Sequence, residues 1–290
     1  MSKRNSQDAK RAARERLRAE RERQAKRDKV RRQLLVGGSV VAVLAIAAGI
    51  GVAVTKMNSG SDTMVSNADW KAAAKKTKFA KPANTSGAKG TTVVIGEEGA
   101  ENTLEVFEDM RCPICATFEQ NVGENLTKGM DDGTYKVKFT MGTFLDEIDQ
   151  IKGSGSHNAL SALGAALDVS PDAFVQYKKA LFSPENHPEE NDDAFSSDAK
   201  LIEIAQQVKE LKGNKDFEKA VENGTFDKWA LEMSAAFDKD KSVTGTPTLK
   251  LNGDKLTDEG GQNAPMSPEQ FDAAVKKALS DKGKAQDAKK

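Results

Sequence analysis

Two cysteines occur in the 290 residues, and they stand together as Cys112-Pro113-Ile114-Cys115. A strand-like run (Leu104, Val106, Phe107) leads into them and a helix-like run leads away, which sets the first thiol at a helix N-terminus. Free backbone N–H groups and the positive end of the helix dipole stabilise an anion there, lowering a thiol pKa from about 8.5 toward neutrality. The second sulfur lies one helical turn on and can attack a mixed disulfide to close an intramolecular ring. The spacing therefore suits reversible dithiol/disulfide exchange. A zinc site would need two further Cys or His ligands. The two histidines, His157 in a helical stretch and His187 in an Asn-His-Pro loop, read as structural or solvated side chains. A purely structural bridge between the cysteines would close a very small loop and stabilise little.

The elements that must position the pair follow from periodicity. Thr91–Ile95 is a β-branched strand, Glu97–Asn102 a turn, and Thr103–Glu108 a second strand that ends at the cysteines. The next helix runs from Pro113 to about Lys128, with Gly129 as its stop, and Tyr135–Met141 alternates as a third strand. Strand, helix, strand in this order predicts parallel neighbours joined by a right-handed crossover. A long helical region follows. Its one-sided stripes are Leu160/Leu163/Leu167, Phe174/Tyr177/Leu181 after a Ser170-Pro171 cap, Leu201/Ile204/Ala205/Val208/Leu211, and Phe226/Trp229/Ala230/Met233/Phe237. Such stripes are core. The strand signal returns at Pro247–Leu251, turns at Asn252-Gly253, and continues at Lys255–Thr257 as a hairpin. The last helix starts with Ser267 as N-cap, Pro268 at N1 and Gln270 closing a capping box, then buries Phe271, Val275 and Leu279.

Charge is sorted along the chain. Formal net charge is +0, yet residues 1–32 carry 14 Lys/Arg against 5 Asp/Glu, so the rest is acidic by the same margin. Just after the boundary, Leu34–Val54 has no charged residue in 21 positions. At about 1.5 Å per residue a helix of that length crosses roughly 30 Å of hydrocarbon. We read 1–33 as a basic cytoplasmic segment, 34–54 as a transmembrane helix and 55–90 as an extracytoplasmic linker. A cleaved signal peptide would have a shorter leader and an apolar run of about 7–15 residues. The folded domain then occupies 91–281, with helical residues about 155–241 inserted, and 282–290 is a flexible tail. The leader lacks aromatic residues for base stacking, and no nucleic-acid partner is expected.

Three motifs, VFEDMRCPIC at 106–115, HNALSALGAAL at 157–167 and SVTGTPTLKLNG at 242–253, resemble those of the DsbA-like thiol–disulfide oxidoreductases. The leader and single anchor are similar to the membrane-tethered actinobacterial type. The resemblance implies an α/β thioredoxin-like fold with a helical insertion. It also implies a solvent-facing nucleophile at Cys112, a buried resolving partner at Cys115 and a cis-proline at Pro247. Thr246, Pro113 and Ile114 would be the substrate-binding residues. The chain departs from the family at Val106, six residues before the first cysteine, where a buried acid is common; Glu105 and Glu108 stand nearby, and no proton shuttle is assigned. Ile114 offers no charge or hydrogen bond to a thiolate, leaving the helix terminus and Arg111 to stabilise it.

These readings give a membrane-tethered extracytoplasmic thiol–disulfide oxidoreductase that forms disulfides in exported cysteine-containing proteins and is reoxidised by a membrane-embedded partner. No metal or organic cofactor is implied. The alternative is a thioredoxin-fold binding or chaperone module at the cell surface, which would tolerate loss of Cys112.

Overall fold

The computed structural model describes residues 67–287. The leader and the apolar span at 34–54 lie outside them, and among the described residues no helix is long and apolar enough to cross a membrane. A short helix α1 (Asn67–Ala74) comes first. The sheet strands are β1 (Val93–Ile95), β2 (Thr103–Asp109), β3 (Lys136–Gly142), β4 (Thr248–Leu251) and β5 (Asp254–Leu256), in the spatial order β1-β3-β2-β4-β5. β2 pairs parallel with β3 from Thr103↔Lys136 to Asp109↔Gly142, as a strand–helix–strand unit requires. The other pairings are antiparallel. In the β4–β5 hairpin Asn252 (φ 56°) and Gly253 (φ 93°) both take positive φ, the conformation that matches a two-residue turn to strand twist.

The crossover helix α2 (Pro113–Asp131) buries Phe118, Val122, Leu126 and Met130 and packs beside the terminal helix α8 (Pro268–Asp287). It runs past Gly129, contrary to the stop read from the sequence. Gly129 is there for space, because a Cβ would lie 2.3 Å from the Tyr135 hydroxyl, which donates to the Leu126 carbonyl. The chain turns instead at Gly133, with φ +69°. The Ser267 hydroxyl caps α8 at Gln270 N–H, while Gln270 Oε1 reaches back to Met266 N–H.

Between β3 and β4 lies the helical insertion: α3 (Gly155–Val169), α4 (Pro171–Leu181), α5 (Asp198–Ala205), α6 (Lys215–Glu222) and α7 (Asp227–Phe237), with 3-10 turns at Phe144–Glu147 and Ala194–Ser196. α3 is its central element, buried on almost every side, and α7 packs over β3. Within the stretch read as linker, residues 67–90 dock on this insertion. Trp70 is buried with its ring centroid 5.0 Å from that of His157, Ala83 N–H donates to Asp168 Oδ1, and Trp229 Nε1 donates to the Gly90 carbonyl.

Candidate active site

β2 and α2 place the cysteines. Cys112 is the N-cap residue of α2, with extended backbone (φ −73°, ψ 116°) and Pro113 opening the helix. Its sulfur takes the position of a capping acceptor: Cys115 N–H donates to Cys112 Sγ at 3.4 Å. On the other side Cys112 Sγ lies 3.7 Å from the Thr246 carbonyl, to which the thiol donates. The Thr246–Pro247 peptide is cis. The structure thus brings Cys112, Cys115, Thr246 and Pro247 together, with Pro113 half-buried and Ile114 protruding at 52% exposure.

Both cysteines are thiols, and both are buried. This differs from the solvent-facing nucleophile that the motif implied, since Cys112 retains only 6% exposure against 0% for Cys115. The strand-entry loop that carries Thr246 closes over its sulfur, leaving the Pro113-Ile114 corner of the turn outermost. The two thiols are nevertheless displaced in opposite directions. A hydrogen bond from the Cys115 thiol lowers Cys112, against the opposing effect of burial, with the Thr246 side chain and Cys115 N–H adding to the fall. Burial raises Cys115 well above the ordinary thiol range, helped by the Cys112 sulfur and by the charge of Glu108.

Arg111 does not serve the thiolate as its position next to Cys112 suggested. Its guanidinium is 1% exposed and is directed into the insertion, where Nη1 meets Asp146 Oδ1 at 2.9 Å and Asp193 Oδ1 at 3.4 Å, while Nη2 donates to the Ile151 and Glu190 carbonyls. Asp146 and Asp193 also accept the first N–H groups of α3, which Ser154 leaves uncapped. His157 Nδ1 lies 2.7 Å from Asp146 Oδ2, and Nε2 lies 3.0 Å from Thr143 Oγ1. Burial pushes Asp146 up, but its hydrogen bonds from the His157 ring and from the His157 and Ser156 N–H groups outweigh this and hold it below the usual carboxylate range.

A second buried cluster lies under Cys115. Lys178 Nζ pairs with Glu108 Oε2 and Glu119 Oε1, each at 2.7 Å, all three side chains being almost wholly enclosed. Burial, then repulsion from Glu119, lifts Glu108 to about 8 despite Lys178. These partners were not singled out from the sequence, although a signal exists. Glu119 sits four residues after Cys115 inside the apolar stripe of α2, and Lys178 sits four after Phe174 inside that of α4; opposite charges in two core stripes mark a buried pair.

A thioredoxin family model matches residues 88–277. This chain belongs to the thioredoxin family, in its DsbA-like form. The reduced disulfide bond oxidoreductase DsbG of Mycobacterium tuberculosis is 25% identical, with a TM-score of 0.51 over 68% of this chain and 86% of that one. Disulfide bond formation protein D of Bacillus subtilis is 24% identical over 160 residues, 55% of this chain and 67% of that protein. The serine/threonine-protein kinase PknE of M. tuberculosis is 25% identical over 116 residues, which is 40% of this chain and spans a fifth of the kinase.

Proposed function

We propose that this protein is a thiol–disulfide oxidoreductase, tethered to the membrane by residues 34–54, that forms disulfides in exported proteins outside the cytoplasm. The observation that carries this reading is the opposite displacement of the two thiols within one helical turn, Cys112 below and Cys115 well above the ordinary range. In the oxidised enzyme a substrate thiolate attacks Cys112 Sγ. The Cys112–Cys115 bond breaks, and its electron pair leaves on Cys115, which takes up a proton. A second substrate thiolate then attacks the substrate sulfur of the mixed disulfide and expels Cys112 as a thiolate. The substrate loses two electrons and two protons, and the enzyme is left as a dithiol. A depressed Cys112 pKa favours that last departure, because a weaker base leaves faster.

Glu108 suits the proton transfer to and from Cys115. Its charge acts on that thiol, its pKa of about 8 keeps a proton available near neutrality, and its Oε1 has no hydrogen-bond partner among the described residues. Pro247 presents no N–H donor to the sulfur. Thr246 offers backbone groups to an extended substrate chain, and Pro113 and Ile114 supply the apolar rim. Exchange of this kind needs no metal or organic cofactor. A membrane-embedded partner accepts the two electrons and restores the disulfide. The folded domain takes in the docked segment 67–90 as well as the sheet and its helices as far as Asp287, and 1–33 lies in the cytoplasm.

Cys112→Ser should abolish oxidation of a reduced, unfolded substrate protein. Undiminished assistance to folding in that variant would instead support a binding or chaperone module. Protease added to intact protoplasts should digest the domain and spare the leader. Recovery of the whole domain as secreted protein beginning near residue 55 would replace the tether with a cleaved signal.

A further inference from the structure

Asp109 is the last residue of β2, fully buried and three positions before Cys112. Its carboxylate accepts three hydrogen bonds from three segments: Oδ1 from Arg111 N–H at 3.0 Å and from the Ser156 hydroxyl at 2.6 Å, and Oδ2 from Leu145 N–H at 3.1 Å. Its backbone carbonyl accepts Cys112 N–H at 3.0 Å, and its backbone also hydrogen-bonds the Cys115 thiol. One residue therefore joins the cysteine turn to the 3-10 turn after β3 and to the first turn of α3.

Among the described residues the carboxylate has donors but no cation. Arg111, the nearest candidate, is engaged by Asp146 and Asp193, and the charged group that acts on Asp109 most is Asp146, of like sign. A turn anchor does not require a charge, and a buried, unpaired one costs stability. The charge is felt at Cys112, where it opposes the thiolate.

We infer that Asp109 is a positioning residue that sets the redox balance of the Cys112/Cys115 couple, its buried negative charge holding the site less oxidising than the geometry of the turn alone would make it. The inference rests on the dithiol reading given above. Burial raises Asp109 to about 6, so the carboxyl is mostly ionised at neutral pH, where the couple works. Charge and anchoring act on Cys112 with opposite signs, which makes the inference testable. Removing the charge stabilises the thiolate. Loosening the turn withdraws the Cys115 N–H and thiol donors, which destabilises it.

The full chain and its Asp109→Asn and Ser156→Ala variants are equilibrated with glutathione at pH 7, and the Cys112 pKa is followed by thiolate absorbance. Asp109→Asn keeps a side-chain acceptor but removes the charge. Its Cys112 pKa should fall, and its equilibrium should shift toward the dithiol by about three- to tenfold, roughly 15–30 mV for a two-electron couple. Ser156→Ala removes the closest donor to the carboxylate, favours protonated Asp109, and should move both quantities the same way by less. Should Asp109→Asn fail to fold, Ser156→Ala decides alone. Lower stability with an unchanged potential, or a Cys112 pKa that rises, would overturn the inference and leave Asp109 an anchor only. Absence of any glutathione equilibrium in the wild type would instead overturn the dithiol reading.

Discussion

Glu108 and Asp109 are neighbours on β2, yet strand alternation sends them to opposite faces and into two buried clusters that handle charge differently. Glu108 enters a cluster made of side chains alone, two carboxylates around Lys178, and the surplus negative charge is settled by a proton held to about pH 8. Asp109 and Asp146 enter a cluster built on the N-terminus of α3 and the backbone around it. There backbone N–H groups and Arg111 supply fixed positive potential, and Asp146 stays ionised below the usual range. Backbone dipoles cannot move away when a carboxylate is buried, so they hold its charge; a cluster with too few donors holds a proton instead. The proton-holding cluster lies under Cys115, whose proton must come and go. The charge-holding cluster lies under the turn that carries Cys112.

Removing the cation from the first cluster should have the largest effect. Lys178→Met leaves Glu108 and Glu119 buried together without their cation and should cost about 3–5 kcal/mol in urea unfolding. Adding Glu108→Gln should restore part of that loss, because one of the two opposed ionisable groups is gone. Equal losses in the single and double variants would mean that Lys178 acts through packing on Phe139 and Phe182, whose rings it approaches at 5.4 and 5.3 Å, and not through its charge.

Glu108 and Asp146, one from each cluster, should respond to pH with opposite signs, while Asp109, raised to about 6, follows the sign of Glu108. Glu108 rises from an ordinary 4.5 to about 8 on folding. The folded chain thus keeps a proton that the unfolded chain releases, so this contribution is complete below about pH 4.5 and is lost as pH rises toward 8. Asp146 is depressed, so its contribution is present above its ordinary 3.8 and is lost as pH falls below that value. Urea midpoints measured from pH 5 to 8 should decline for the wild type by the equivalent of about 1–3 kcal/mol and decline less steeply in Glu108→Gln, where Asp109, raised to about 6, still contributes. An equal slope in both chains would place the titrating proton elsewhere.

Much of this arrangement is legible in the sequence because it depends on local periodicity or on rarity. The alternation in 135–141, the cap at Ser170 and the Asn252-Gly253 turn report their own elements, and two cysteines in 290 residues mark their own site. What surrounds the sulfurs depends on distant partners. Lys178 reaches Glu108 across 70 residues, and Asp109 meets Ser156 across 47. Nearness in the chain misleads in both directions. Arg111 adjoins Cys112 but turns its charge toward Asp146, and Gly129 looks like a helix stop but makes room for Tyr135. The burial of Cys112 is hidden for the same reason, since the Thr246 carbonyl that meets its sulfur comes 134 residues later.

A difference in reactivity should accompany the different surroundings of the two sulfurs. At mildly acidic pH Cys112 should alkylate faster than Cys115, because its pKa is depressed while that of Cys115 is raised and its sulfur more deeply enclosed. Mass-spectrometric mapping of a brief iodoacetamide pulse distinguishes the two sites. Faster labelling of Cys115 would reverse the assigned roles.

The smallest change expected is at Ile114, and it tests how much of the thiolate's stabilisation comes from outside either cluster. Reference potentials run from about −120 mV for DsbA to about −270 mV for thioredoxin, and a side chain between the cysteines that stabilises the thiolate stabilises the dithiol and makes the disulfide more oxidising. Ile114 can do neither by charge nor by hydrogen bond, and Arg111 is committed elsewhere. The groups left to lower Cys112 are the Cys115 thiol, the Thr246 side chain and the Cys115 N–H, with Asp109 opposing them. That balance predicts a potential more negative than about −120 mV and a Cys112 pKa above that of DsbA. Ile114→His should lower the pKa and raise the potential together, by at most about 30 mV, because residue 114 is 52% exposed and water screens the imidazolium. A potential that rises while the pKa stays fixed would mean that the histidine acts on the disulfide rather than on the thiolate. If neither moves, the couple is governed from beneath the turn by Asp109 and Glu108, and the residues between the cysteines serve substrate contact alone.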